Sequence, residues 1–121
     1  MIAAALVASS AAVAAPMGAR TLIERHVAAL GNADKVVADF APDAVVLQDG
    51  HATQGKPAIR AMFAKIFAGP TPFKLKVEAI TTEGDVGTLK WSAPGVTGTD
   101  VYIVRGGRIA VEAVWIKPAG A

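Results

Sequence analysis

Two histidines, a scatter of single carboxylates and no cysteine are what this chain has for chemistry. Without a thiol, disulfides, thiolate nucleophiles and zinc–sulfur sites drop out. His26 stands in an otherwise apolar stripe with Ile23, Val27 and Leu30, at the spacing of one helix face. A histidine turned toward an apolar interior can donate a hydrogen bond to a ligand oxygen or shuttle a proton. It can equally be a buried structural residue bonded to a carboxylate or carbonyl. Asp100 is the second candidate, at the start of a strand. Gly106-Gly107 suits a two-residue primed hairpin turn, which sets Arg105 opposite Arg108. Asp100 then shares a face with Tyr102, Val104, Ile109, Val111, Ala113 and Trp115. So apolar a face raises the pKa of an aspartate, while a neighbouring His26 lowers it. Asp49 and His51 flank Gly50 in a polar stretch read as a loop, and two candidate ligands are too few for a metal, so no metal site is expected.

These residues need elements to hold them. Residues 20–30 form a helix that stops at Gly31, and Asn32 caps a second over about 33–40. Ala44 to Gln48 is a short strand closed by Asp49-Gly50. Gly55-Lys56-Pro57 opens a third helix with the stripe Ile59, Met62, Phe63, Ile66 and Phe67. Phe73, Leu75 and Val77 alternate with Lys74, Lys76 and Glu78, and Leu89, Trp91 and Ala93 with Thr88, Lys90 and Ser92. Asp100–Arg105 and Arg108–Ile116 complete a hairpin. Helices first and strands after argue an α+β domain over 17–118. Phe63, Phe67, Trp91, Tyr102 and Trp115 are the expected pocket walls. The hairpin's other face, with Val101, Ile103, Ala110, Glu112, Val114 and Ile116, is also apolar. A second copy of the chain is its simplest cover, so a homodimer is expected.

At 121 residues there is room for one core. The net charge of +2 comes from scattered lysines and arginines, which argues against nucleic acid. No phosphate-binding glycine loop, dinucleotide fingerprint or Gly-x-Ser-x-Gly turn is present, and no cofactor is expected. Residues 1–15 are apolar, too short to span a bilayer, and contain the small–x–small pattern Ala12-Val13-Ala14. They read as a secretory leader lacking a positive start, which places the protein outside the cell or in the periplasm. As an alanine-rich helical extension the same run would leave it cytoplasmic.

The segments Ala28-Ala29-Leu30-Gly31-Asn32-Ala33-Asp34, Phe40-Ala41-Pro42-Asp43-Ala44-Val45-Val46, Gly55-Lys56-Pro57-Ala58-Ile59-Arg60 and Gly98-Thr99-Asp100-Val101-Tyr102 with Gly107-Arg108-Ile109 resemble the nuclear transport factor 2-like superfamily. The wording is similar to its SnoaL-like and ketosteroid isomerase-like members and spans nearly all of 20–117. The resemblance implies a curved mixed or antiparallel sheet wrapped as a cone around three N-terminal helices, a cystatin-like α+β barrel. It places His26 where the steroid isomerases have an oxyanion-binding tyrosine. It places Asp100 where they keep a protonated aspartic acid, an enzyme that the general account of neutral buried carboxyls uses as its example. It breaks at Gln48, where they have the proton-abstracting aspartate. An amide is no general base, so ordinary steroid isomerisation is not expected.

Two functions stay open. One is a cofactor-free acid/base enzyme (isomerase, cyclase, dehydratase or hydrolase) acting through His26 and Asp100 on a small apolar molecule with polar oxygens. Gln48, Phe63, Trp91, Tyr102 and Trp115 would then hold the ligand. The other is a binding or interaction module in which His26 and Asp100 are a structural pair. The leader reading makes its own prediction: exported protein lacks residues 1–14, and N-terminal sequencing of secreted material that finds Met1 intact defeats it.

Overall fold

The computed structural model describes residues 17–69 and 74–120, so the leader expected over 1–15, and Phe73, lie outside the described residues. Helix α1 is Ala19–Ala29, α2 Ala33–Ala38 and α3 Lys56–Phe67. The strands are β1 Phe40–Gln48, β2 His51–Gln54, β3 Lys76–Glu83, β4 Val86–Ala93, β5 Val96–Arg105 and β6 Arg108–Pro118. The local signals behave as their chemistry dictates. Asn32 Oδ1 accepts from Lys35 N–H at 3.1 Å and starts α2. Pro57 occupies the first turn of α3, where a missing N–H costs no bond. Several boundaries differ from expectation, among them the starts of β1 at Phe40 rather than Ala44, of β3 at Lys76 and of β5 at Val96 rather than Asp100. The second helix ends at Ala38 because Phe40 already pairs with β6, and the polar stretch after Gln48 is a hairpin. Asp49 and Gly50 both take positive φ, 52° and 74°, and turn the chain so that β2 pairs back on β1.

The six strands form one sheet in the order β2-β1-β6-β5-β4-β3. β1 and β6 run parallel and every other pair is antiparallel. The class is α+β as expected, but the sheet keeps free edges at β2 and β3 and is not a closed barrel. One face is covered by helices: α1 lies on β3, β4 and β5, while α3 lies on α2, β1 and β2. Between them sits the core, with Leu22, Ile23, Val36, Phe40, Ile59, Leu89, Tyr102 and Ile109 almost fully buried. Arg25 ties α1 to the end of α2 through both oxygens of Asp39, at 2.8 and 3.1 Å. Glycine matters most at Gly98, opposite Trp91 in the β4–β5 ladder, because a Cβ there would overlap the indole. The bare backbone is what lets the Trp91 ring lie flat across its neighbour.

The expected hairpin register holds only at its tip. Arg105 faces Arg108 and Val104 faces Ile109, but Ile103 then faces Val111, so Ala110 is an extra residue in β6. β1 breaks its pairing with β6 at the same level, between Phe40 and Val45. Pro42 lies in that gap and has no N–H to give a ladder. A one-residue bulge exchanges the two faces of everything beyond it. Glu112, Val114 and Ile116, expected outside, therefore face the helices. Val111, Ala113 and Trp115, expected inside, face out, and Trp115 is 60% exposed. Trp115 is thus no pocket wall, and the outer face differs in composition from the one the sequence suggested. No helix among the described residues is long and apolar enough to cross a membrane.

Candidate functional site

Reading across the inner face, the ladders align Leu89, Asp100, Val114 and Gln48 in one row and Gly87, Tyr102, Glu112 and Val46 in the next. Tyr102 is therefore two residues from Asp100 on its own strand and directly opposite Glu112 on the next. Both carboxyls reach its hydroxyl. Tyr102 Oη lies 3.2 Å from Asp100 Oδ2 and 3.1 Å from Glu112 Oε2. Trp91 Nε1–H donates to the other oxygen of Asp100 at 2.9 Å. From α1, His26 brings Nε2 to 3.6 Å from Glu112 Oε2. Its ring is held edge-on by Phe40, Phe63 and Tyr102, with centroids 5.7, 5.8 and 5.4 Å away.

These polar groups lie at the closed end of a cavity of about 260 Å³, just under the roughly 300–1,000 Å³ of sites for drug-sized ligands. Its walls are mostly apolar, with Leu30, Met62, Phe63, Leu75, Trp91 and Val114 among them, and Gln48 contributes an amide. Of the residues singled out in the sequence, His26, Gln48, Phe63, Trp91, Asp100 and Tyr102 all border this space, and Trp115 and Phe67 do not, Phe67 stacking on Phe63 instead. The His26–Asp100 pair is corrected too. Both residues border one cavity, but the hydrogen bonds of Asp100 go to Trp91 and Tyr102, and the carboxylate nearest His26 belongs to Glu112. Glu112 is the residue that sequence reasoning missed as a site residue. Its one signal is a lone charge in the apolar run Ile109 to Ile116, and only the bulge at Ala110 turns it inward.

The electrostatics follow from burial. Asp100 is pushed up to about 8, first by loss of water and then by the Glu112 carboxyl, against the opposing pull of Trp91 and His26. Burial also raises Glu112, while hydrogen bonds from Asp100 and Tyr102 oppose that rise. Tyr102 is pushed well above its usual range by burial and by both carboxyls. Burial brings His26 down to about 4, despite the acidic side chains of Asp100 and Asp39. A phenol carries one hydrogen, so two carboxyls on one Tyr102 oxygen require one of them to be the acid. Asp100 donates to Tyr102, Tyr102 donates to the Glu112 carboxylate, and the pair shares one proton. His26 is neutral; its contact with Glu112 assigns its hydrogen to Nε2 and leaves Nδ1 an acceptor. His26 Nδ1 and Glu112 Oε1 have no hydrogen-bond partner among the described residues. Among those residues no three His, Asp or Glu come together as a metal site.

The profile of the SnoaL-like domain family matches residues 19–112, and the chain belongs to that family. Solved structures share the fold. A Sinorhizobium meliloti protein provisionally described as a polyketide cyclase is 27% identical, covers 78% of this chain and 94% of its own, and has a TM-score of 0.66. A protein with a ketosteroid isomerase-like fold from Catenulispora acidiphila, solved with trimethylamine, is 18% identical over 78% of this chain and 83% of its own, with a TM-score of 0.68. An epoxide hydrolase-like protein of M. tuberculosis is 19% identical over 80% of each chain, with a TM-score of 0.65. No curated protein matches the chain at a significant level.

The proton inventory predicts a pH dependence of stability. Asp100 holds its proton to about 8 when folded but ionises near 3.8 when unfolded, so its contribution is lost as pH rises between those values. His26 works the other way between about 4 and 6.5, where the unfolded chain holds a proton that the fold excludes. The two slopes oppose each other up to pH 6.5, and above it only the acid's remains. Urea unfolding should show wild-type stability falling from pH 6.5 to 8, by at most about 1.4 kcal/mol per pH unit for one proton. Asp100→Asn, which can still donate to Tyr102, should flatten that arm. An equally steep arm in the variant rejects the protonated-Asp100 assignment.

Proposed function

We propose that this member of the SnoaL-like family binds a small, mostly apolar molecule in the cavity and moves a proton on or off it without a cofactor. The observation that carries the reading is the row Asp100–Tyr102–Glu112, two buried carboxyls on one hydroxyl at the most buried end of a mostly apolar cavity. Paired carboxyls in unequal environments divide into an acid and a base. Glu112 is the base, Asp100 the acid, and Tyr102 passes the proton between them. His26 steadies the Glu112 carboxylate, and Trp91 holds Asp100 in place. Phe63, Trp91 and Gln48 position the bound molecule. Isomerisation, cyclisation, dehydration and hydrolysis all need only these parts, and the relatives described as a cyclase and an epoxide hydrolase-like protein support that range. The Catenulispora protein, solved in complex with trimethylamine, supports a small ligand. The rival reading, binding without turnover, is favoured by one observation: the amide of Gln48 borders the cavity where the steroid isomerases carry their base. Read as a secretory leader, residues 1–15 support a place outside the cytoplasm as part of the same proposal.

Trp91 borders the cavity and Trp115 does not, so a Trp115→Phe background makes Trp91 fluorescence a reporter of occupancy. Small cyclic ketones, alcohols and amines are the probes. At least one class should quench Trp91, and Met62→Phe, which takes up space from α3 without adding a second tryptophan, should weaken binding by roughly tenfold or more. In D₂O, wild type should place deuterium on a carbon of the bound molecule, and Glu112→Gln should slow that exchange by about a hundredfold or more. Tight binding with no exchange leaves the binding module in front. No quenching by any class refutes the site.

The sheet's outer face supports a homodimer as part of the same reading. Its central rows run Val86, Ile103, Val111, Val45 and Thr88, Val101, Ala113, Leu47, with Trp115 beyond them. Leaving such a surface in water costs about 25 cal/mol per Å². Sedimentation equilibrium should find wild type dimeric at micromolar concentration and Trp115→Lys monomeric; a monomeric wild type refutes the interface.

A further inference from the structure

The polar end of the cavity is short of hydrogen-bond donors. Trp91 Nε1–H is committed to Asp100. The one Tyr102 hydrogen and the one shared carboxyl proton are committed within the row. The remaining hydrogen, on His26 Nε2, faces Glu112 Oε2 at 3.6 Å. What is left over accepts: Glu112 Oε1 and His26 Nδ1, both buried and both without a partner among the described residues. A carbonyl compound would bring a further acceptor to this end. An alcohol would bring one donor, and an ammonium up to three.

Charge points the same way. Among the described residues two carboxyls border the cavity, and neither lysine nor arginine does. The one basic side chain among them, His26, is 3% exposed and edge-packed by three aromatic rings, surroundings that disfavour an imidazolium. A buried carboxylate without a cation is unfavourable by several kcal/mol. The walls add aromatic faces from Phe63 and Trp91, which attract a cation electrostatically while covering its apolar substituents.

We propose that the cavity's ligand class is small alkyl- or cycloalkylammonium ions, with the N–H donors meeting Glu112 and the apolar frame lying against Phe63, Trp91 and Val114. The inference rests on the cavity being a binding site, as proposed above, and is independent of whether it turns its ligand over. On binding, the ammonium supplies the positive charge that the Glu112 carboxylate lacks. Asp100 keeps its proton and its place on the Tyr102 hydroxyl, so one carboxylate meets one cation and the charges balance.

Calorimetry with matched probes tests this at pH 7: cyclohexylamine, cyclohexanol and cyclohexanone, and the benzyl and butyl amine–alcohol pairs. The best amine should bind at least tenfold tighter than its alcohol and any ketone. Repeating the titration in buffers of different ionisation enthalpy should show no net proton release with the amine or the alcohol, because the ammonium enters whole and Asp100 keeps its proton. Glu112→Gln, checked for folding by circular dichroism, should lose the amine's advantage, bringing amine and alcohol affinities within about threefold of each other. Asp100→Asn serves as a second variant: it still donates to Tyr102 and should keep the amine's advantage. Alcohols or ketones that bind as tightly as the amines overturn the ammonium class and leave the binding site intact. Failure of every probe to bind overturns both.

Discussion

Ala110 has no cross-strand partner, and the site exists because of it. Ile109 is held from both sides, by Val104 across the hairpin and by the Asp39 carbonyl, which accepts its N–H at 2.8 Å. Two residues later Val111 is held again, between Ile103 and Val45. The chain must place one residue between these anchor points without a ladder position, and side-chain direction beyond it is reversed. Had β6 kept strict register, Glu112 would stand in solvent and Trp115 would fill the space above Asp100. The cavity and its second carboxyl are thus two consequences of one backbone irregularity. The irregularity lies where β1 also breaks, around Pro42, so neither strand enforces regular pairing on the other.

Glu112, Asp100, Tyr102 and His26 at the centre of so small a core demand mutual support. An unsatisfied buried polar group costs about 1–3 kcal/mol, and an unpaired charge more. The row limits this by holding a single proton between two acids and a single negative charge, placed on the carboxyl with two donors facing it. Neutral His26 adds no second charge to be solvated. The arrangement still leaves two acceptors without donors, which is incomplete as a structural core and reasonable for a surface that meets a ligand. Stability and binding draw here on the same groups: whatever completes the hydrogen bonds of Glu112 also stabilises the fold.

Most of the architecture was legible because it rests on local chemistry. Gly31, Asn32 and Pro57 mark helix ends through caps and missing donors, and the Gly106-Gly107 turn fixes Arg105 against Arg108. His26, Phe63, Trp91, Asp100 and Tyr102 were legible as facing the cavity because a helix stripe and strand alternation report facing directly, while Gln48 came from the family resemblance. The errors share one origin. A strand pattern carries no mark of a bulge when the residues on both sides of it are apolar, and Ala110-Val111 fits either face equally well. Trp115 and Glu112 were therefore exchanged, and the partner of His26 was taken to be Asp100. The hairpin of β1 and β2 escaped for a different reason: His51–Gln54 is a short, mostly exposed edge strand with no hydrophobic alternation to announce it.

The glutamine on β1 and the glutamate on β6 belong to one argument. Gln48 pairs with Val114 and Val46 with Glu112 across the parallel ladder, so Glu112 lies one step of the inner face deeper than Gln48. A carboxylate at Gln48 would sit toward the open part of the cavity, where water could serve it. At Glu112 it is 2% exposed, opposite a tyrosine that it shares with a second acid. Moving the base inward and across a strand changes what it can do. A solvated carboxylate abstracts a proton and remains an independent group. A buried one is tied to the protonation of Asp100, so a proton gained on Glu112 weakens the hold of Asp100 on its own, and the pair responds as a unit to any charge that enters the cavity. The chain thus carries a coupled pair of buried carboxyls and an amide at position 48, in a fold whose helices and sheet would accommodate either arrangement.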